Sequence, residues 1–245
     1  MLRSICFLVL LLAGCPAMAG DLTVSAAASL TDAFREIAEH YQAEHKDTRV
    51  LLNFGASGAL LQQVAKGAPV DVFASADQQS MDRAQQMGLV RQAARHDFAG
   101  NALVLVVPSD STRNLARLDD LLAADRVAIG NPDSVPVGRY AMQALQAAGL
   151  WPQLQPKVVG TQNVRQSLDY VARGEVDAAF VYRTDARSMP DKVRVALEVP
   201  LAQAIRYPIA PIAQSEAAEQ AVDFVDYVLS PAGQAVLARH GFLRP

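Results

Sequence analysis

Short β-branched apolar runs alternate with segments of helical periodicity along almost all of this 245-residue chain, and few architectures accommodate that rhythm. Leu22-Thr23-Val24, Val50-Leu51-Leu52, Val70-Asp71-Val72-Phe73, Leu103-Val104-Leu105-Val106-Val107, Val127-Ala128-Ile129, Val158-Val159 and Ala179-Phe180-Val181 read as strands. Helical segments lie between most of them, which predicts an α/β fold with largely parallel sheets. In the first helix Leu30, Ala33, Phe34, Ile37, Ala38 and Tyr41 share one face at the i, i+3, i+4, i+7 spacing, and Asp32, Arg35, Glu36 and Glu39 fall opposite. Further helices are expected over 60–66, 140–148 and 165–173, each followed by a glycine suited to a left-handed cap. Two more are expected over 216–229 and 231–240. No internal repeat or low-complexity linker is visible.

The first nineteen residues are of another kind. A basic start at Arg3, an apolar run over 5–13 too short to span a bilayer, and Ala17-Met18-Ala19 make an export signal, so a periplasmic location is expected. Leu12-Ala13-Gly14-Cys15 also resembles a lipidation box, which would instead anchor the protein through Cys15. Cleavage after Ala19 removes Cys6 and Cys15, the two cysteines of the chain, and leaves an ordinary apolar core to hold the fold. The 22 Lys and Arg residues against 25 Asp and Glu give a net charge of −3, and no basic face for nucleic acid is implied.

Where the chain divides is suggested by two extended runs. The apolar stretch 101–108 empties into Ser109-Asp110-Ser111-Thr112, and Tyr207-Pro208-Ile209-Ala210-Pro211-Ile212 follows about a hundred residues later. Taken as crossings, they give a first lobe over 20–104 and 208–245 and a second over 105–207.

Two segments carry the chemistry. Ala26-Ala27-Ala28-Ser29-Leu30-Thr31 and Phe54-Gly55-Ala56-Ser57-Gly58-Ala59-Leu60 each set a serine between a strand and a helix. A helix start offers unpaired N–H groups and the positive end of its dipole, and a serine adds a hydroxyl donor, so two facing starts can clamp a small oxyanion. Taken alone, each serine is a helix cap, and Ser29 with Asp32 three residues on is capping-box-like. Their occurrence after the first two strands strengthens the ligand reading, because an open parallel sheet binds ligands beyond its strand carboxyl ends. Val135-Pro136-Val137-Gly138-Arg139-Tyr140 and Gly160-Thr161-Gln162-Asn163-Val164-Arg165 also lead into helices, so the N–H groups of Val137 and Val164 can point at the same anion. Arg139 and Arg165, in first turns, are expected to project to solvent.

At these residues the chain resembles the periplasmic molybdate-binding proteins of ABC transporters. The resemblance rests on Ala26-Ala27-Ala28-Ser29-Leu30-Thr31, Phe54-Gly55-Ala56-Ser57, the run from Gly67-Ala68-Pro69 to Asp77, Val135-Pro136-Val137-Gly138-Arg139-Tyr140-Ala141 and Val181-Tyr182-Arg183-Thr184-Asp185-Ala186, and spans the chain after the export signal. It implies a two-lobed type II periplasmic binding protein with two crossing strands as hinge, and no catalytic activity. It further implies that Ser29 and Ser57, the N–H groups of Val137 and Val164, and the hydroxyl of Tyr182 hold molybdate or tungstate. The molybdenum would then be bound as its oxyanion, without direct metal ligands or a cofactor. Permease and ATPase subunits are the implied partners of a monomeric receptor.

A site made of donors accepts a fully ionised dianion, whereas a protonated phosphate needs an acceptor, and leaving its O–H unpaired costs about 1–3 kcal/mol. Sulfate has no proton, so its exclusion has to come from ion radius. Another oxyanion such as sulfate is thus one alternative ligand. A second alternative is a serine hydrolase, because Gly55-Ala56-Ser57-Gly58-Ala59 falls one glycine short of a nucleophile elbow and His240 follows in a suitable order. The histidines 40, 45, 96 and 240 show no zinc-like spacing, and Trp151 reads as a packing residue.

Overall fold

A computed structural model describes residues 20–245, so the expected export signal and Cys15 lie outside the described residues. Among the described residues, ten strands form two five-stranded sheets. The first contains β1 (Gly20–Ala27), β2 (Thr48–Gly55), β3 (Val72–Ala74), β4 (His96–Asn101) and β10 (Ile205–Pro211), in the order β2-β1-β3-β10-β4. The second contains β5 (Leu103–Pro108), β6 (Val127–Gly130), β7 (Val158–Thr161), β8 (Ala178–Tyr182) and β9 (Val193–Glu198), in the order β7-β6-β8-β5-β9. These sheets are the cores of two α/β lobes.

Both sheets are mixed rather than largely parallel. Three strands run parallel in each, β2-β1-β3 and β7-β6-β8, and the remaining two are paired antiparallel. The order is the same in both lobes, a topological repeat that the sequence does not display. In each sheet the edge strand, β4 or β9, leads out of the lobe. The strand it feeds, β5 or β10, takes the fourth place in the other sheet.

That exchange corrects the expected lobe boundaries. Residues 103 and 104 belong to the second sheet and 205–207 to the first, so the crossings are Ala102 and the stretch 199–204 rather than the strands themselves. The two crossings lie side by side, with Asn101 in register with Ile205 and Val199 N–H bonded to the Leu103 carbonyl.

Helix α1 (Thr31–Glu44) buries Ala33, Phe34, Ile37, Ala38 and Tyr41, the face its periodicity predicts. Phe34 meets Phe98 of β4 and Phe224 of α8 (Ala218–Leu229), at ring-centroid distances of 5.7 and 6.2 Å. The other long helices are α2 (Ser57–Ala65), α3 (Gln78–Gln86), α4 (Pro136–Ala147), α6 (Val164–Ala172) and α9 (Pro231–Arg239). Short helices α5 (Trp151–Leu154) and α7 (Arg183–Arg187) complete the set. Trp151 is half-buried and packs against the core, as its sequence context suggests. The carboxyl ends of β1, β2 and β3 and those of β6, β7 and β8 feed segments that meet at the cleft between the lobes.

Candidate anion-binding site

Six strand ends supply one small cavity. From the first lobe come Ser29 after β1, Ser57 after β2 and Ala76 after β3; from the second come Val137 after β6, Val164 after β7 and Tyr182 at the end of β8. All five residues expected at the site therefore line the same small cavity. No Asp, Glu, Lys or Arg is among its lining residues.

The serines are not caps. Ser29 lies in a 3₁₀ turn, Ala28–Leu30, that leads into α1, and its hydroxyl meets the hydroxyl of Tyr207 at 3.0 Å. Ser57 is the first residue of α2, and its Oγ accepts the Ala76 N–H at 3.0 Å. Neither α1 nor α2 has a side-chain cap bond. These hydroxyls serve contacts distant in sequence instead of their own helices.

The backbone donors come from α4 and α6. Pro136 opens α4 and carries no N–H, so the N–H of Val137 is the first the helix can present. Tight packing aims it: a Cβ on Gly138 would fall 1.8 Å from the Gly130 carbonyl oxygen, so α4 can start this close to the end of β6 only with glycine there. Helix α6 is capped by Asn163, whose Oδ1 accepts the Gln166 N–H at 3.0 Å, and Val164 follows in the first turn. N–H groups at such positions have no intrahelical acceptor.

Tyr182 is wholly buried, and its hydroxyl donates to the Ala76 carbonyl across the cleft at 3.4 Å. Burial, followed by the neighbouring Tyr207, pushes its phenol well above the ordinary value, so it stays protonated and able to donate. Ser57 lacks a histidine partner among the described residues. His240 is bonded to Glu36 at 2.7 Å and lines a different cavity, which disfavours the hydrolase alternative.

The two arginines expected in solvent are instead drawn into the cleft. Arg139 of α4 places Nε and Nη2 on Oδ2 of Asp77, at 2.8 and 2.6 Å, with further bonds to Ser80 and the Pro132 carbonyl. Arg165 of α6 donates to Asp32 of α1 at 2.8 Å, and its Nε is 2.9 Å from Asp185 Oδ1 in the second lobe, a contact of charges that is poorly aligned as a hydrogen bond. Gly58 N–H adds a backbone bond to the Ser134 carbonyl at 3.0 Å. The cavity is thus flanked by three further contacts that join the lobes. The motifs contain Asp77, Arg139 and Arg165, but spacing within one segment gives no sign of partners 62 or 133 residues away.

Two α/β lobes joined by paired crossings and closed on a small cavity at the helix starts define a receptor of the periplasmic solute-binding type. Comparison with known proteins agrees: the profile for "Bacterial extracellular solute-binding protein" matches residues 22–243, and the chain belongs to that family. It is 37% identical to the molybdate-binding protein ModA of Escherichia coli (strain K12) over 231 residues, covering 91% of this chain and 89% of that protein. It is 33% identical to the putative ABC transporter substrate-binding lipoprotein YvgL of Bacillus subtilis (strain 168), covering 90% and 85%. Among solved structures, the substrate-binding domain of a putative molybdenum ABC transporter from Clostridium difficile superposes with a TM-score of 0.69 at 33% identity, over 92% of this chain and 99% of that one.

Proposed function

We propose that this protein is a monomeric periplasmic receptor that captures molybdate, with tungstate as an equivalent ligand, and delivers it to the permease and ATPase of an ABC importer. The observation that carries the reading is the donor-lined cavity. Ser29, Ser57 and Tyr182 offer hydroxyl groups, Val137 and Val164 offer first-turn N–H groups, and no ionised side chain lines the space. A dianion without protons can take a donor at each oxygen, while helix termini supply positive potential without a countercharge. The names of the relatives point the same way, since the ModA proteins are molybdate-binding and the Clostridium difficile domain is ascribed to molybdenum transport.

Thermal melting with molybdate, tungstate, sulfate and phosphate tests the reading. A ligand at a hundredfold excess over its Kd adds about 2.7 kcal/mol, a readily visible shift. Stabilisation by molybdate and tungstate but not by sulfate or phosphate is expected. A protein indifferent to both metal oxyanions would refute the assignment.

A further inference from the structure

Behind Ser29 runs a chain of hydrogen bonds that begins in the hinge. Asn101, the last residue of β4, accepts the N–H of Ala102 on Oδ1 at 2.9 Å, which fixes the sense of its amide. Its Nδ2 then donates to Thr184 Oγ1 in the second lobe at 2.9 Å and to the hydroxyl of Tyr207 at 3.3 Å. Tyr207 is completely buried, and its hydroxyl meets Ser29 Oγ at 3.0 Å.

Proton counting sets the direction. A phenol has one proton, and where the Tyr207 oxygen accepts from Asn101 its own proton goes to Ser29, its remaining partner in that chain. Were Ser29 to donate instead, the Tyr207 proton would be stranded in a buried place, which polar groups avoid. Burial holds the Tyr207 phenol well above its ordinary value, so it has that proton at any physiological pH. Ser29 therefore receives a hydrogen bond from behind and keeps its own proton for the cavity. Ser57 is set in the same sense by the Ala76 N–H.

We infer that Asn101 and Tyr207 are positioning residues for the ligand, a relay from the hinge that presents Ser29 to the oxyanion as a donor. The inference rests on the oxyanion reading given above and adds to it the origin of the donor orientation at this position. A protonated oxyanion would need an acceptor there, whereas the relay takes one of the two lone pairs of Ser29 Oγ and turns its proton to the cavity.

The test is a double-mutant cycle read by titration calorimetry with tungstate as probe. Tyr207→Phe removes the relay's donor and leaves Ser29 free to rotate, so binding is expected to weaken roughly three- to tenfold. In the Ser29→Ala background the same change is expected to have little effect, because no hydroxyl remains to be oriented. A structural role alone would weaken binding equally in both backgrounds, and that result, or a Tyr207→Phe affinity within about twofold of the parent, overturns the relay.

Should Tyr207→Phe fail to fold, Asn101→Asp serves in its place. Its carboxylate accepts the hydrogen bond of the Tyr207 O–H, so Ser29 has to donate to Tyr207 and offers the cavity only an acceptor, and tungstate is expected to bind at least about tenfold more weakly. That loss should shrink in the Ser29→Ala background, and an equal loss there again overturns the relay. Absence of tungstate and molybdate binding in the unmodified protein would refute the functional reading itself, whereas normal binding with an additive cycle refutes only the relay.

Discussion

Arg139 and Asp77 meet across the cleft as a buried ion pair, 7% and 3% exposed, with two guanidinium nitrogens on one carboxylate oxygen. Asp77 directly follows Ala76, whose N–H orients Ser57, and Arg139 lies two residues after Val137. The pair thus ties together the two halves of the proposed clamp within one turn of the groups that would touch the ligand. Contacts of this kind belong to the closed arrangement, so a ligand that needs closure is energetically coupled to them.

Asp77→Asn separates that coupling from ordinary folding. Asparagine caps a helix as well as aspartate does, so the bond from Ser80 N–H that starts α3 is kept. What is lost is the countercharge of Arg139, and breaking a buried pair on one side costs about 3–5 kcal/mol wherever the survivor stays buried. An open form can hydrate Arg139, so part of the cost falls on closure. Molybdate affinity is expected to drop roughly tenfold to a hundredfold, with only a small change in the melting temperature of the ligand-free protein. A large fall in melting temperature at unchanged affinity would show that the pair serves the fold and not the clamp.

The hydroxyl donors should rank by what else they hold. A hydrogen bond to a charged group is worth about 1.5–3 kcal/mol, so Ser29→Ala is expected to weaken molybdate binding by about one to two decades. Ser57→Ala should cost more, because it also leaves the buried Ala76 N–H without its acceptor. Tyr182→Phe should cost least: the phenol already has a weak bond to the Ala76 carbonyl at 3.4 Å and must give it up to reach a ligand. Titration calorimetry on the three variants gives the order, and a Tyr182→Phe loss larger than that of Ser57→Ala would contradict it.

Much of this site was legible because its parts are local. A strand, a small residue and a helix start occupy a few consecutive positions, so Ser29, Ser57, Val137 and Val164 stand out by pattern, whereas Tyr182 was reached through a family resemblance. The strands β6 and β8 were readable for the same reason, as apolar runs buried on both faces, and β7 showed through Val158-Val159 although it is a half-buried edge strand. β4 was not, since His96-Asp97-Phe98-Ala99-Gly100-Asn101 carries neither alternation nor β-branched residues and is a strand by virtue of pairing with β10. The serines' hydroxyl partners were equally hidden. Ser29 answers to Tyr207, 178 residues away, and a local capping rule cannot detect a competitor brought in by the hinge. Arg139 and Arg165 misled for a related reason: first-turn arginines face solvent unless another lobe lies over them.

Gly58 tests closure without touching charge. Its N–H bonds the Ser134 carbonyl of the opposite lobe at 3.0 Å, and a Cβ there would lie 2.7 Å from that oxygen. Backbone cannot yield as a flexible side chain does, so Gly58→Ala should hold the lobes slightly apart. Alanine also favours the helix by up to about 1 kcal/mol over glycine, so the ligand-free protein should melt no lower than the parent. Molybdate binding is expected to weaken at least about tenfold, chiefly through faster release. Unchanged dissociation in stopped-flow measurements would mean that closure tolerates the extra methyl group.

Acidification should act through Asp185. Its carboxyl is pushed up to about 6 by complete burial, against the pull of Arg165 and the Tyr182 N–H. An unfolded aspartate titrates near its ordinary value of 3.8, so between about pH 4 and 6 the folded protein binds a proton that the unfolded chain does not. This contribution to stability is fully present below the unfolded value and is lost as pH rises through 6. Asp185→Asn has no such proton to bind. Relative to that variant, the parent should therefore gain melting temperature as pH is lowered from about 7.5 to 5, and protonation should at the same time leave Arg165 to Asp32 alone. Parallel melting curves of the two proteins across that range would show that Asp185 remains ionised throughout, held by Arg165.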